Sequence, residues 1–213
     1  MLELFQDNPQ AVVLLIPTLI FALSFHEFAH AWMAEKCGDS TAARMGRLTL
    51  NPMVHLDMMG SLMLLIAGFG WAKPVPVDPR ALRNPRTDIM KVAAAGPIAN
   101  FLLALISGIV LRFLIGTGLV TEFISTLLLY FTQINIALGV FNLIPVAPLD
   151  GSQIFSGYLM KRNPELAWKL QTYGPQVLFG LIILGIWIPK FSIIHIIMRP
   201  VIKFFMSIIF AGI

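Results

Sequence analysis

Long apolar runs separated by short polar stretches organise this chain. A helix needs about 20 mostly apolar residues to cross a hydrocarbon core of about 30 Å. Residues 11–34, 92–115 and 122–143 meet that length and predict three membrane helices, the first with Pro17 inside it. Residues 173–188 predict a fourth span. The run at 58–71 is shorter and holds Gly60, Gly68 and Gly70. Residues 191–213 are apolar but carry His195, Arg199 and Lys203 at a spacing of four, which is one stripe on a helix. That segment reads as a further span or as a helix lying in the interface.

The polar stretches predict the connections. Arg44 to Leu50 holds β-type residues and ends in the Asn51-Pro52 breaker, which predicts a short strand. Ala72 to Pro79 alternates Pro and Val, which suits an extended segment and no helix. Pro145 and Pro148 break the chain after the third span. Backbone groups freed at membrane depth survive only inside protein or along a cavity.

Composition excludes a soluble protein. Of 213 residues, 57% are hydrophobic and 12% charged, with mean hydropathy +0.81; soluble domains carry about 25% charged residues. The expectation is one membrane-embedded domain over 1–213. Met1 to Asp7 lacks the basic region of a leader peptide, so the first run is expected to be retained. Cys37 is the only cysteine, which rules out an intrachain disulfide and reads as incidental.

The net charge is +4, and its distribution reports topology and not nucleic-acid binding. Lys36, Arg44 and Arg47 precede the 58–71 run; Lys73, Arg80, Arg83, Arg86 and Lys91 follow it. The positive-inside rule places both groups in the cytoplasm, so the run between them is re-entrant. The fold class is therefore an α-helical integral membrane protein. It has a three-helix core (11–34, 92–115, 122–143), a re-entrant β/loop segment at 44–77 and two further C-terminal hydrophobic helices.

The chemistry lies inside the first span. His26-Glu27-Phe28-Ala29-His30 reads H-E-x-x-H. On a helix, positions i and i+4 share a face, so His26 and His30 can hold one metal ion, with Glu27 beside it as general base. Asp150 is a third-ligand candidate or a cap for the helix that follows. If it is a ligand, it must share the depth of the histidines. Both lie where their spans end, so those spans run in the same direction with one crossing between them. A crossing at 58–71 would separate the groups by roughly 20 Å. Asn142 reads as an oxyanion donor or as a partner for broken backbone. Asn100 reads as an interhelical hydrogen-bonding group or a substrate contact. His55 reads as an alternative ligand, a group supporting the ligands, or a loop histidine satisfied locally.

These residues together resemble the site-2 protease family, the intramembrane zinc metalloproteases of peptidase family M50. The matching motifs are His26-Glu27-Phe28-Ala29-His30, Gly96-Pro97-Ile98-Ala99-Asn100 and Asn142 through Gly151 with Pro145, Pro148 and Asp150. They cover about Ala11 to Gly151. Asn51-Pro52, His55-Leu56-Asp57, Gly60 and Gly70 through Val77 are similar to the small bacterial members without PDZ or CBS domains.

The resemblance implies zinc, one per chain, on His26, His30 and Asp150, with Glu27 as catalytic base. It implies a catalytic core at 11–156, C-terminal helices at 173–213, and cleavage of transmembrane segments of other membrane proteins. The partners expected are those segments and the lipid bilayer, with no nucleic acid. The expected location is the bacterial inner membrane, multi-pass, with the N-terminus outside and the active site towards the cytoplasm. The competing reading is a pseudoprotease that binds membrane helices without cutting. A metal transporter is disfavoured because no series of intramembrane carboxylates or histidines leads to both faces.

Overall fold

The computed structural model of the protein describes residues 9–67, 70–188, 192 and 194–211. The first eight residues, where the sequence lacks a leader's basic region, lie outside them, as does the His195 side chain. The elements are α1 (Pro9–Lys36), α2 (Thr41–Arg44), a 3-10 turn (Pro52–Val54), α3 (Met58–Ala67), α4 (Pro85–Gly116) and α5 (Glu122–Asn142). They continue with α6 (Asp150–Arg162), α7 (Pro164–Trp187), a π-helical turn (Ile194–Met198) and α8 (Arg199–Ile209). Among the described residues, α1 from Val12, α4 and α5 are long and apolar enough to cross a membrane. The chain is an α-helical integral membrane protein.

Polar pairs fix how these helices run. Asn100 on α4 donates to the Ala22 carbonyl of α1, and His30 lies 2.7 Å from the Val92 carbonyl. Higher numbers on α1 meet lower numbers on α4, so the two are antiparallel. Asn100 also reaches Asn135, and Ser107 reaches Thr132, so α4 and α5 are antiparallel too. Hence α1 and α5 run in the same direction with α4 against both, as the depth argument required. Small residues make the approach close: Ala29, Ala95 and Ala99 form a buried cluster under Phe25 and Met33. In lipid, where apolar surface gives no drive to associate, such close packing and buried hydrogen bonds hold helices together.

The 58–71 segment turns back on itself. Among its described residues, 58–67 are helical, about 15 Å of rise. Its flanks meet in an isolated bridge between Leu56 and Ala72, and the Lys73 amide donates to the His55 carbonyl at 2.8 Å. A Cβ on Gly60 would lie 2.2 Å from the Trp71 carbonyl oxygen, so only glycine admits this contact. Both ends of the segment therefore lie together, which is the re-entrant arrangement.

The strand expected at Arg44–Leu50 is corrected: no strand forms among the described residues. Thr41–Arg44 is a helical turn that ends at Gly46 in the left-handed region (φ 69°), and Asn51 caps the following 3-10 turn by accepting from the Met53 amide. The neighbouring extended segment contains Pro74 and Pro76, which have no N–H to offer a ladder.

Asp39 ties the end of α1 to that segment. It is fully buried and accepts from the Asp78 amide at 2.7 Å and the Thr41 amide at 2.9 Å. Burial pushes its carboxyl up, but the bonds from Thr41 and Asp78, with Arg44 nearby, outweigh burial and hold it below the ordinary value. A carboxyl depressed on folding adds stability above its unfolded pKa of about 4 and loses it as pH falls through its lower folded value. Thermal unfolding in detergent is expected to show wild type losing stability below pH ~4, and Asp39→Asn lacking that component. Asp39→Ala, which leaves two part-buried amides without their acceptor, is expected to cost about 1 kcal/mol at neutral pH.

The two C-terminal helices are present. The apolar run from Tyr173 to Trp187 is carried by α7, a 24-residue helix from Pro164 to Trp187. The fourth span expected at 173–188 is thus the second half of a longer helix whose first half is polar. Eleven-residue α8 packs on α4 and α5, with Phe205 5.3 Å from Phe101 and Met198 buried beside Ala104, Ile136 and Val140.

Candidate active site

Histidines 26 and 30 lie one turn apart on α1, and both are buried. Their Nε2 atoms are 3.0 Å from each other. Asp150 opens α6, just after the Pro145–Pro148 break, and its Oδ2 lies 3.1 Å from His26 Nε2 and 3.3 Å from His30 Nε2. The ligating atoms of the three residues all fall within 4.8 Å of one another. Leu149, not Asp150, occupies the N-cap position of α6, and Asp150 Oδ2 faces the histidines.

The far side of each ring decides which nitrogen carries the proton. Asn100 is fully buried, and its amide nitrogen donates to Asn135 Oδ1 at 2.9 Å and the Ala22 carbonyl at 3.4 Å. Its oxygen is therefore the atom facing His26, so His26 Nδ1–H donates to it at 2.6 Å. The Val92 carbonyl can only accept, so His30 Nδ1–H donates to it at 2.7 Å. In the neutral rings both Nε2 atoms then carry lone pairs aimed at one point. Asp150 Oδ2 is buried there and receives no hydrogen bond among the described residues. Three electron-pair donors without a proton between them repel one another, and a bound cation resolves that. Two imidazole nitrogens and one carboxylate oxygen are a donor set that suits zinc and leave a fourth position open. The outer bonds from Asn100 and Val92 fix tautomer and ring orientation, as they do around metal-ligating histidines generally.

One face of α4 forms the cradle. Val92, Gly96 and Asn100 recur every four residues along it. Val92 and Asn100 each hold a ring, and between them a Cβ on Gly96 would lie 2.4 Å from His30 Nε2 and 2.6 Å from His26 Nε2. Gly151 performs a matching service for Asp150: a Cβ there would lie 2.3 Å from the Leu143 carbonyl oxygen, so α6 can start tight under the end of α5.

Glu27 is also buried, and its Oε2 accepts from the Val75 amide at 3.1 Å. Among the residues singled out by sequence, His26, Glu27, His30, Asp150 and Asn100 come together. Asn100 is an interhelical residue whose amide is fully engaged, and it is not left free for a substrate. Asn142 donates to the Leu138 carbonyl of its own helix at 3.0 Å, which is the backbone-satisfying alternative. His55 is a satisfied loop histidine, bound to the Thr49 carbonyl at 2.7 Å and absent from the ligand cluster. Cys37 packs among Ala34, Leu82 and Val92. Sequence reasoning missed Asn135, Val75 and Arg47. A polar side chain inside a span was the available signal for Asn135; a backbone amide such as Val75 N–H leaves no signal.

A His-Glu-x-x-His helix packed among membrane-length helices, with a carboxylate closing the cluster, defines a membrane-embedded metalloprotease. The family comparison agrees: the model for peptidase family M50 matches residues 14–127 and 117–185, and the chain belongs to that family. It is 41% identical over 165 residues to "Putative zinc metalloprotease YwhC" of Bacillus subtilis (strain 168), covering 75% of each chain. It is 32% identical over 178 residues to "Putative zinc metalloprotease Rip2" of Mycobacterium tuberculosis (strain ATCC 25618 / H37Rv), covering 81% of this chain and 65% of the relative. To "Zinc metalloprotease MJ0392" of Methanocaldococcus jannaschii it is 25% identical over 144 residues, covering 68% and 34%. No solved structure matches it.

Proposed function

We propose that the protein is an intramembrane zinc endopeptidase, with one zinc per chain on His26, His30 and Asp150. It cuts peptide bonds within or near transmembrane segments of other membrane proteins. The observation that carries this reading is the meeting of His26 Nε2, His30 Nε2 and an Asp150 carboxylate oxygen among membrane-crossing helices.

Zinc in that site supplies a Lewis acid for the scissile carbonyl and lowers the pKa of water. The chain's own residues do the rest. Glu27 takes the proton from the attacking water and later gives it to the leaving amine. Asn100 and the Val92 carbonyl keep the imidazoles turned Nε2-inward. The three apolar helices around the cluster support action on transmembrane segments, and a substrate helix must unwind locally to present its carbonyl. The cationic residues from Lys73 to Lys91 support a reading with the N-terminus outside and the cluster towards the cytoplasmic face of a bacterial inner membrane.

Zinc per chain in purified protein tests the ligand set. About one is expected in wild type and in His55→Ala, and near zero in Asp150→Ala. Zinc lost with His55→Ala and kept with Asp150→Ala would move the third ligand into the re-entrant segment and overturn the assignment. Cleavage of a membrane-inserted single-span substrate by the zinc-loaded wild type, and none of its soluble flanks alone, is the accompanying result.

A further inference from the structure

The extended segment after the re-entrant hairpin is held at every turn, and one of its bonds reaches Glu27. The Leu56–Ala72 bridge and the Lys73 amide on the His55 carbonyl anchor its start. Arg47 clamps the next residues, donating from Nη2 to the Lys73 carbonyl at 2.6 Å and from Nη1 to the Pro74 carbonyl at 3.2 Å. The Asp78 amide on Asp39 fixes its end. Between these anchors, Pro74 and Pro76 have no N–H. The Val75 N–H is therefore the one amide donor of the 74–76 stretch, and it is spent on Glu27 Oε2.

Arg47 was counted by sequence among the cations on the cytoplasmic side, and it is only 5% exposed. Among the described residues it forms no ion pair; its guanidinium is committed to the backbone of this segment, with His55 Nδ1 a further 3.5 Å neighbour. Burying a guanidinium is costly unless its fork is used. Here the fork fixes two successive carbonyls directly before the amide that binds the carboxylate.

We infer that Arg47 and Val75 are positioning residues for the reaction: Arg47 sets the 73–75 backbone, and the Val75 N–H holds one oxygen of Glu27 so that the other faces the attacking water. This rests on Glu27 being the base. A glutamate side chain has three rotatable bonds and loses rotamer freedom when fixed. A fixed donor on one oxygen supplies that order in advance. Misplacement of a reacting group by about 1 Å costs on the order of 100-fold in rate.

The test uses the full chain in detergent with a membrane-span substrate. Val75→Pro removes the N–H and puts a ring carbon where it pointed, so Glu27 loses this anchor, in a stretch already flanked by prolines and extended. It is expected to keep about one zinc per chain and a KM within twofold of wild type, while kcat falls about 10- to 100-fold. Val75→Ala, which keeps the N–H, recovers most of that rate. Arg47→Lys, which lacks the fork, shows the same kcat loss with zinc kept, and the double variant Arg47→Lys/Val75→Pro is no slower than the slower single, because both act through one bond.

Wild-type kcat in Val75→Pro overturns the inference. So does a loss confined to KM, which would make the segment a substrate surface, or a loss of zinc, which would make it part of the general scaffold. If Val75→Pro fails to fold, kcat in zinc-loaded Arg47→Lys decides alone, a wild-type value overturning the inference. Glu27→Gln assayed alongside separates the two levels. If it is active, the base assignment falls; if it is inactive while Val75→Pro is fully active, only the positioning role falls.

Discussion

Glu27→Gln is expected to lower kcat by about 10²–10⁴-fold, the range that general acid–base groups contribute, while zinc per chain stays at about one. The substitution is nearly isosteric. The Gln side-chain oxygen can still accept from the Val75 amide at the 3.1 Å position now held by Oε2. Packing around the buried side chain is also preserved. What disappears is the ability to take a proton. Metal content and thermal midpoint measured on the same preparation separate chemistry from folding. Full cleavage by a zinc-loaded Glu27→Gln protein would remove Glu27 from the reaction.

Gly96→Ala is expected to abolish zinc binding and reduce cleavage by at least about 100-fold. Real Cβ atoms essentially never come within 3.0 Å of another heavy atom, yet at position 96 three ring atoms lie within 2.6 Å: His30 Nε2, His26 Cε1 and His26 Nε2. Two adjustments are open, and both harm the site. If α4 retreats, the bonds from His26 to Asn100 and from His30 to Val92 stretch together, because both partners are on the same face of the same helix. If the rings rotate, their Nε2 atoms leave Asp150. Gly116→Ala on the same helix is the control. A Cβ there meets nothing within 4 Å, and alanine favours the helix by up to about 1 kcal/mol. Zinc analysis of the two purified variants checks the contrast. Wild-type zinc in Gly96→Ala would show that the cradle gives way without consequence.

The two effects differ in kind. Glu27 is replaced without moving anything; Gly96 is replaced by one carbon and moves the ligands. Zinc content distinguishes them, since only the second variant should lose it.

Several features were legible in the chain because their physics is local or depends only on the solvent. A spacing of four puts His26 and His30 on one face of any helix. An apolar run of sufficient length prefers lipid wherever it occurs, so the three crossing helices could be placed. Cations flanking a short glycine-bearing run required both ends on one side, and the Leu56–Ala72 bridge shows them together. The shared direction of the first and third spans followed from Asp150 and the histidines having to meet at one depth.

Other features depended on which surfaces meet. The strand at 44–50 was expected from residue type alone, but a strand exists only against a partner. The neighbouring segment has prolines where a ladder needs donors, while Arg47 turns inward to its carbonyls. The fourth span was expected from apolar length, but α7 begins at Pro164 and carries that run as its second half. Asn142 and His55 were chemically suitable; the fold pairs them with the Leu138 and Thr49 carbonyls. The sequence by itself determined that an H-E-x-x-H helix lies among membrane-length helices, and that the first and third of these run the same way. Only the tertiary structure decided that Asn100 and Val92 turn the imidazoles inward, that Gly96 leaves them room, and that Val75 reaches Glu27. Those are contacts between residues 48 to 78 positions apart, and no local preference encodes which backbone amide or carbonyl a buried side chain will find.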